Sequence, residues 1–467
     1  VAKLPETEGG RKVSVRAISM VLAACVAGTC SCARDAGTVA GDVHDALATG
    51  DQYIGEDIQH IGNDILNPGD EGVVGDLPRD LVQDSGLDVP PFEPTPSTRN
   101  APLFDESVIV EFDLEMDPDD WDSIADPDRA KAVLDDEEEE WVPCRFSFQE
   151  QEFQGAACRR KGNPVDWDRE PRPQLMVRFN KFVDKGRFLG LRRLNLEASI
   201  HSPAPVRDRL AMWLMREAGI QAPRVNHARV RVNGQDMGLY MNIEHVDKEF
   251  VEDRFADPTG NLYKDGRELK TNEDINDISD LRNLRKLIDE YDEFEDDRDV
   301  DAFFQDLETM MDVAAVVRAM AGEAVLPTSS NFTNGYANFC LYNEPGRGFV
   351  VIPWDLDSLF GSRAYPEADP FWHPAAQDIE NWRLKLRRLV NAHPGWRERF
   401  INYLVEIRDG PYEGLKDYAA YVCNQTRDSF DTDPWCQESV EDFDRDCIGI
   451  QDRIDARIVF LKDALGR

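Results

Sequence analysis

Two aspartates, Asp355 and Asp357, close an apolar run in Phe349–Gly361 (FVVIPWDLDSLFG). A buried strand there would deliver both carboxylates into a turn. Magnesium takes hard oxygen ligands, usually one or two carboxylates alongside phosphate oxygens, and an aspartate at a strand end suits that task. The same pair would serve as turn caps, since aspartate readily bonds nearby backbone amides. A second group is basic. Arg159, Arg160 and Lys161 stand beside Gly162-Asn163, where charge and exposed amides can hold a phosphate, or where the three simply face solvent. Lys264, in GNLYK, can reach a phosphate or face solvent in the same way. Glu244 sits one residue past an apolar strand in GLYMNIEHVDKEF, placed to accept a hydrogen bond from a nucleotide or a backbone amide, or to lie on the surface. The histidines are few and scattered, which points away from a histidine triad or metal cluster.

These residues need elements to position them. Val108 to Leu114 reads as a strand, and Asp119 to Ile124 opens a short helix. Cys144 to Cys158 alternates like a hairpin, so the two cysteines would face each other across its strands. Leu175 to Phe179 is a strand. Arg207 to Glu217 has helical periodicity, with Leu210, Leu214 and Ala218 on one face and Gly219 as the stop. His227 to Val232 and Gly238 to Ile243 are strands joined through Asn233-Gly234, a strong hairpin signal. Leu281 to Ile288 and Val300 to Met320 are helical, Asn338 to Tyr342 and Phe349 to Pro353 form a further hairpin, and the chain beyond Asp378 is mostly helix, for example Ile450 to Leu465. Strands first and helices later predict an α+β fold.

The chain has 467 residues, 41% of them apolar, and a formal charge of -38. Such a charge repels nucleic acids and anionic lipid, and excludes nucleic-acid binding as the function. It attracts basic partners and divalent cations. At the start, Lys3, Arg11, Lys12 and Arg16 precede a short apolar run that ends in Leu22-Ala23-Ala24-Cys25. The pattern fits a bacterial lipoprotein signal over residues 1–25, with Cys25 as the lipidated residue anchoring the chain to a membrane of the cell envelope. Val26, where an aspartate would favour retention in the inner membrane, tips the expectation to the outer one. Residues 26–100 read as an acidic disordered tether; within 33–100, 14 acidic residues face three arginines. The run Asp135 to Glu140 reads as a solvated loop. Export makes disulfides possible: Cys144 with Cys158, and one pair among Cys423, Cys436 and Cys447. Cys340 falls in an apolar strand and is expected to be buried.

Taken in order, several segments resemble the CotH kinase family, named for spore coat protein H: FDLEMDPDDWDSI, CRRKGNPVDW, RPQLMVRFNKF with GLRRLNLEAS, VRDRLAMWLMREAGIQAPR, VRVNGQDMGLYMNIEHVDKEF, GNLYK, ANFCLY and IPWDLDSLFG. The resemblance runs over residues 104 to 365 and more loosely to the C-terminus. It implies an atypical two-lobed kinase-like fold over 101–467, with an N-lobe of about 101–245 and a C-lobe of about 246–467. ATP and magnesium or manganese would bind between the lobes, and phosphate would pass to Ser or Thr of exported proteins. In that scheme Asp355 ligates the metal and Asn338 shares its cleft. Arg159 and Lys161 lie in the phosphate-side loop, Lys264 in the cofactor site and Glu244 near the hinge. Asp208 pairs with a basic residue of a neighbouring strand.

The sequence departs from the family pattern in three places. The catalytic aspartate expected shortly before Asn338 is replaced by Ser330 in one register and Asn334 in the other; no aspartate lies between Arg318 and Asp355. Glu323 and Glu344 are out of register. Arg172 replaces a lysine, keeping the charge but not the compact ammonium geometry. Ser202 replaces an aspartate, and Pro164-Val165 a pair of serines. Loss of a general base costs about 10²–10⁴ in rate. The expectation is therefore a CotH-type kinase, with a pseudokinase of the same fold as the alternative and a surface or adhesion module as a third reading.

Overall fold

A computed structural model describes residues 99–467, apart from 135–140, 171, 199–201, 292–298, 336, 362–363, 374–380 and 467. Cys25, the signal segment, the tether up to residue 98 and the acidic run 135–140 lie outside the described residues. The architecture is α+β, with strands first and helices later.

Seven strands close a barrel in the order β1-β2-β3-β4-β5-β7-β6. They are β1 (Val110–Glu115), β2 (Val142–Phe148), β3 (Gln151–Arg160), β4 (Leu175–Arg178), β5 (Arg193–Glu197), β6 (Val225–Val232) and β7 (Gln235–Ile243). Closure is parallel, with Val110 opposite Ala228 and Leu114 opposite Val232. Alternation builds the interior. In β2, Val142, Cys144, Phe146 and Phe148 are buried, and they meet Phe112, Phe179 and Phe188 in one aromatic core. Asn233 and Gly234 turn β6 into β7 with φ of 52° and 78°, the left-handed pair that a tight hairpin requires. Helices α1 (Pro118–Ala125) and α2 (Pro127–Leu134) follow β1.

The second sheet has the order β11-β10-β8-β9, from β8 (Asn261–Lys264), β9 (Glu268–Leu269), β10 (Phe339–Glu344) and β11 (Gly348–Pro353). Around it lie α3 (Arg207–Glu217), α4 (Lys248–Arg254), α5 (Ser279–Glu290), α6 (Val300–Glu308), α7 (Val313–Val325), α8 (Trp382–Ala392), α9 (Pro394–Asp409), α10 (Leu415–Asp431) and α11 (Val440–Ala464). Leu210 and Leu214 of α3 pack in the helical core with Val317, Leu404 and Ile454. The single helix expected over Val300 to Met320 is instead two. Asp312 accepts the Ala315 amide as an N-cap and restarts the chain as α7, while Met311 pairs with Phe349. Among the described residues no helix is long and apolar enough to cross a membrane.

Cys144 and Cys158 form a disulfide across β2 and β3, and Cys423 and Cys447 join α10 to α11. Cys340 is a buried thiol and Cys436 is free and half-buried. Closing the short loop between Cys144 and Cys158 constrains the unfolded chain, so replacing both by serine should lower unfolding free energy by about 3 kcal/mol. Chemical denaturation of wild type and double variant, compared without and with reductant, checks this; the two should converge under reductant.

Candidate functional site

Asp355 lies two residues past the end of β11 and sits in the left-handed region at φ 55°. Two bonds hold this turn. The Asn338 side chain donates to the Asp355 carbonyl at 2.8 Å, and the Leu356 amide donates to Asp208 Oδ1 at 2.9 Å. Asn338, itself at φ 71°, gives its own amide to Asp265 Oδ1 at 2.9 Å. The expected basic partner of Asp208 is therefore replaced by a backbone amide. Asp208 is fully buried, and its Oδ2 has no hydrogen-bond partner among the described residues.

The barrel faces this turn with its outer surface. In β5, Leu194 and Leu196 point into the barrel core, which puts Asn195 and Glu197 on the opposite face. Glu197 is ion-paired with Lys161, just past β3. The electrostatics join the two sides. Burial raises the Asp355 carboxyl, and the carboxylates of Glu197 and Asp357 raise it further, against Lys161 and Lys264. Asp208 is raised by burial, then by Asp355, Glu197 and Asp357. Burial holds His245 well below the usual range, helped by Arg193, Lys161, Lys270 and Lys264, and its ring meets Trp354 edge-on at 6.1 Å.

Four carboxylates thus share one field with two lysines. Mutual repulsion of this kind is relieved by a cation. Among the described residues no three His, Cys, Asp or Glu side chains converge into a ready-made cage. The donor set fits magnesium or manganese held by one or two carboxylates, with other positions left to phosphate oxygens and water. The unpartnered Asp208 oxygen is consistent with such a polar site.

The other sequence candidates divide. Lys161, Asn338 and Asp355 come together, and exposed Lys264 contributes to the same field. Arg159 instead stacks over Trp141, 5.1 Å from its ring centroid, and donates to the Arg160 carbonyl. Arg172 is committed elsewhere. It is buried against Asp433, with Nη1–Oδ distances of 2.8 and 2.7 Å, and lies over the Tyr240 ring. A Cβ at residue 238 would lie 2.0 Å from Asp433 Oδ1, so only glycine admits this carboxylate. Glu244 is likewise committed within the protein. It is buried between Arg224 and Arg254 and accepts the Arg224 amide at 3.0 Å. Two guanidinium groups hold its carboxyl down at about 2 despite the burial.

Ser330 and Asn334 lie between α7 and β10. Asn334 Oδ1 accepts the Asn331 amide at 2.9 Å, and Asn331 Oδ1 returns the bond from the Asn334 amide at 2.8 Å. Asn334 therefore shapes the loop. Glu323 supports it from beneath by accepting the Phe332 and Thr333 amides at 3.3 and 2.8 Å, as well as the Thr333 hydroxyl. The Ser329 amide donates to Ser358 Oγ at 3.1 Å, which docks the loop on the turn beyond Asp355. Glu197, His245 and Asp265 escaped the sequence reading. The alternation of RLNLE was the available signal for Glu197.

The family model described as CotH kinase protein matches residues 159–461. The chain belongs to the CotH kinase family. Membership brings a kinase-like fold and a kinase-like function. Inner spore coat protein H of Bacillus subtilis (strain 168) is 24% identical over 299 residues, 61% of this CotH chain and 81% of that protein. Among solved structures, the Shewanella oneidensis MR-1 toxin–antitoxin complex of HipA, HipB and operator DNA matches at 13% identity and TM-score 0.29. That match covers 59% of this chain and 60%, less than two thirds, of the other. The Helicobacter pylori proinflammatory kinase CtkA matches at 10% identity and TM-score 0.25, over 66% of this chain and 94% of that one.

Because Glu244 neutralises two buried arginines, Glu244→Gln should destabilise this CotH fold by about 3–5 kcal/mol at neutral pH. The folded carboxyl at about 2 lies below its ordinary 4.5, so the ion pair stabilises fully above pH 4.5 and its contribution is lost as pH falls toward 2. Denaturation midpoints of wild type and variant, measured down the pH scale, should converge in that window and stay apart above it.

Proposed function

We propose that this CotH chain binds ATP with magnesium or manganese in the cleft between the barrel and the Asp355 turn, and transfers phosphate to Ser or Thr of exported proteins. One observation supports the reading: the Lys161–Glu197 ion pair of the barrel lies within electrostatic reach of the Asp355 carboxyl. A lysine steadied by a carboxylate opposite a metal-binding aspartate is the working arrangement of kinases. The cation would supply charge neutralisation at the phosphates. Asp355, with Asn338 fixing its backbone, would hold that cation; Lys161 and Lys264 would orient phosphate oxygens. Lipid attachment at Cys25 and a place in the cell envelope, favouring the outer membrane, belong to the same proposal and rest on the lipobox pattern alone.

A pseudokinase is the second reading, and a specific observation favours it. Neither Ser330 nor Asn334 supplies a base near neutral pH, and the Asn334 side chain is bonded to Asn331 and to the Thr328 carbonyl. Nucleotide and metal binding would survive in that case while transfer is slow.

Wild-type protein should be stabilised by ATP with manganese, by about 2.7 kcal/mol at a hundredfold excess over Kd. Asp355→Ala should abolish the shift. A wild type with no shift at all would favour the adhesion module. Where nucleotide binds, labelled phosphate incorporation into a Ser-rich acceptor separates enzyme from pseudoenzyme. Ser330→Asp should raise incorporation by about a hundredfold if that position lacks the base. Asn334→Asp tests the other register, at the cost of the bond to Thr328. No gain from either would remove both positions from the proposal.

A further inference from the structure

The chain carries 91 acidic side chains against 53 lysines and arginines, yet residues 180–193 (NKFVDKGRFLGLRR), which lead from β4 into β5, hold five cations and one aspartate. Three of the five are engaged within the protein. Arg187 and Arg192 pair with Glu249 of α4, and Arg193 Nη1 lies 3.1 Å from His245 Nε2. Lys181 and Lys185 are exposed, and among the described residues neither has an ion pair.

Between the two lysines stand Phe182 and Val183, 50% and 37% exposed. An aromatic core lies close by, where Phe179 packs on Phe153 and Phe188. The turn keeps Phe182 and Val183 out of it. The Gly186 amide donates to the Val183 carbonyl at 3.0 Å, and Lys185 takes φ 53°. A Cβ at residue 186 would lie 1.9 Å from the Phe179 carbonyl oxygen, so the close approach that shapes this tip admits only glycine. An apolar pair rimmed by cations matches a lipid headgroup boundary. The apolar groups enter the acyl edge and the ammonium groups meet phosphates.

The tip also has a defined place in the fold. The first described residues enter the body beside it. A Cβ at residue 190 would sit 3.3 Å from Arg99 Cδ, and Asn100 Nδ2 donates to Asp253 Oδ2 at 3.5 Å, on the helix α4 that also takes Arg187 and Arg192. The segment expected to carry a lipid at Cys25 therefore joins the body next to the β4–β5 connection. The cleft residues of the barrel lie at the other end of these strands. Arg160 opposes Leu175 and Ala157 opposes Arg178, while Glu197 closes β5. Contact at the tip thus leaves Lys161 and Glu197 uncovered.

We infer that Lys181, Phe182, Val183 and Lys185 form a membrane-contact tip that seats on a phospholipid surface bearing anionic headgroups. Repulsion from the rest of this acidic chain is screened beyond about 8 Å at physiological salt, so the groups at contact decide the encounter. The contact adds to the anchor proposed at Cys25 and does not require it.

The test uses the full chain with Cys25→Ser, so that no lipid is attached there, and vesicles of phosphatidylcholine alone or mixed equally with phosphatidylglycerol. Sedimentation should show binding to the mixed vesicles about tenfold tighter than to phosphatidylcholine. Lys181→Gln with Lys185→Gln should remove that preference. Phe182→Ser with Val183→Ser should weaken binding to the mixed vesicles by about tenfold. All four side chains are exposed, so thermal unfolding midpoints should stay at the parent value. Amide hydrogen exchange across 181–187 of the parent chain should slow when mixed vesicles are added, a readout that needs no variant. No binding, or equal binding to both vesicle types, overturns the inference. So does binding that survives both double variants or leaves exchange at the tip unchanged. Vesicle binding alongside a native chain found by mass spectrometry to carry no lipid at Cys25 upholds the tip and sinks the anchor alone.

Discussion

The turn at Asp355 depends on a carboxylate that never reaches solvent. Asp208 lies on α3, fully buried, and its Oδ1 takes the Leu356 amide. Without that acceptor the amide would be a buried donor left unpaired, which is expensive in a dry interior. The bond fixes the left-handed conformation of Asp355 from behind, and Asn338 fixes it from the side. The Asp355 turn therefore inherits its geometry from a helix and from the residue that leads into β10, and rigid elements position chemistry better than loops do.

The same economy runs through the rest of the molecule. Several buried arginines are matched to acids in other segments of the chain: Arg172 to Asp433, Arg207 to Asp446, Arg224 and Arg254 to Glu244. Each pair ties one segment to another, and removing either partner would leave a charge in the interior. Arg172 and Glu244, read as ligands from their residue types, are thus committed to charges of the protein itself. Around the Asp355 turn the charged groups left acting on one another are Lys161, Lys264 and the carboxylates of Glu197, Asp208, Asp355 and Asp357.

Much of the fold was legible because it was written locally. The Asn233-Gly234 hairpin, the bounds of α3, the pairing of β10 with β11 and the Cys144–Cys158 link all follow from turn chemistry, periodicity or alternation. The break between α6 and α7 was hidden, since the apolar pattern of Val300 to Met320 runs on while Asp312 quietly caps a new helix. Asp355 and Lys161 stood out by type and neighbourhood. Glu197 did not, because its role depends on which face of β5 turns outward, and Glu244 misled because its two arginine partners lie in other elements. Long-range pairing is where reading one residue at a time runs out.

Arg172, Ser202 and Arg207 each wait for an acid that lies far downstream. Arg172 and Asp433 are 261 positions apart; Asp446 is 244 from Ser202 and 239 from Arg207. A ribosome would release the barrel strands long before the segment between α10 and α11 that carries the first acid, or the helix that carries the second. Until then two guanidinium groups and a tight niche at Gly238 stay open to water or to the wrong carboxylate. Completion of these contacts is thereby coupled to synthesis of the later segments, and nascent chains stalled before residue 433 should be natural clients for folding helpers.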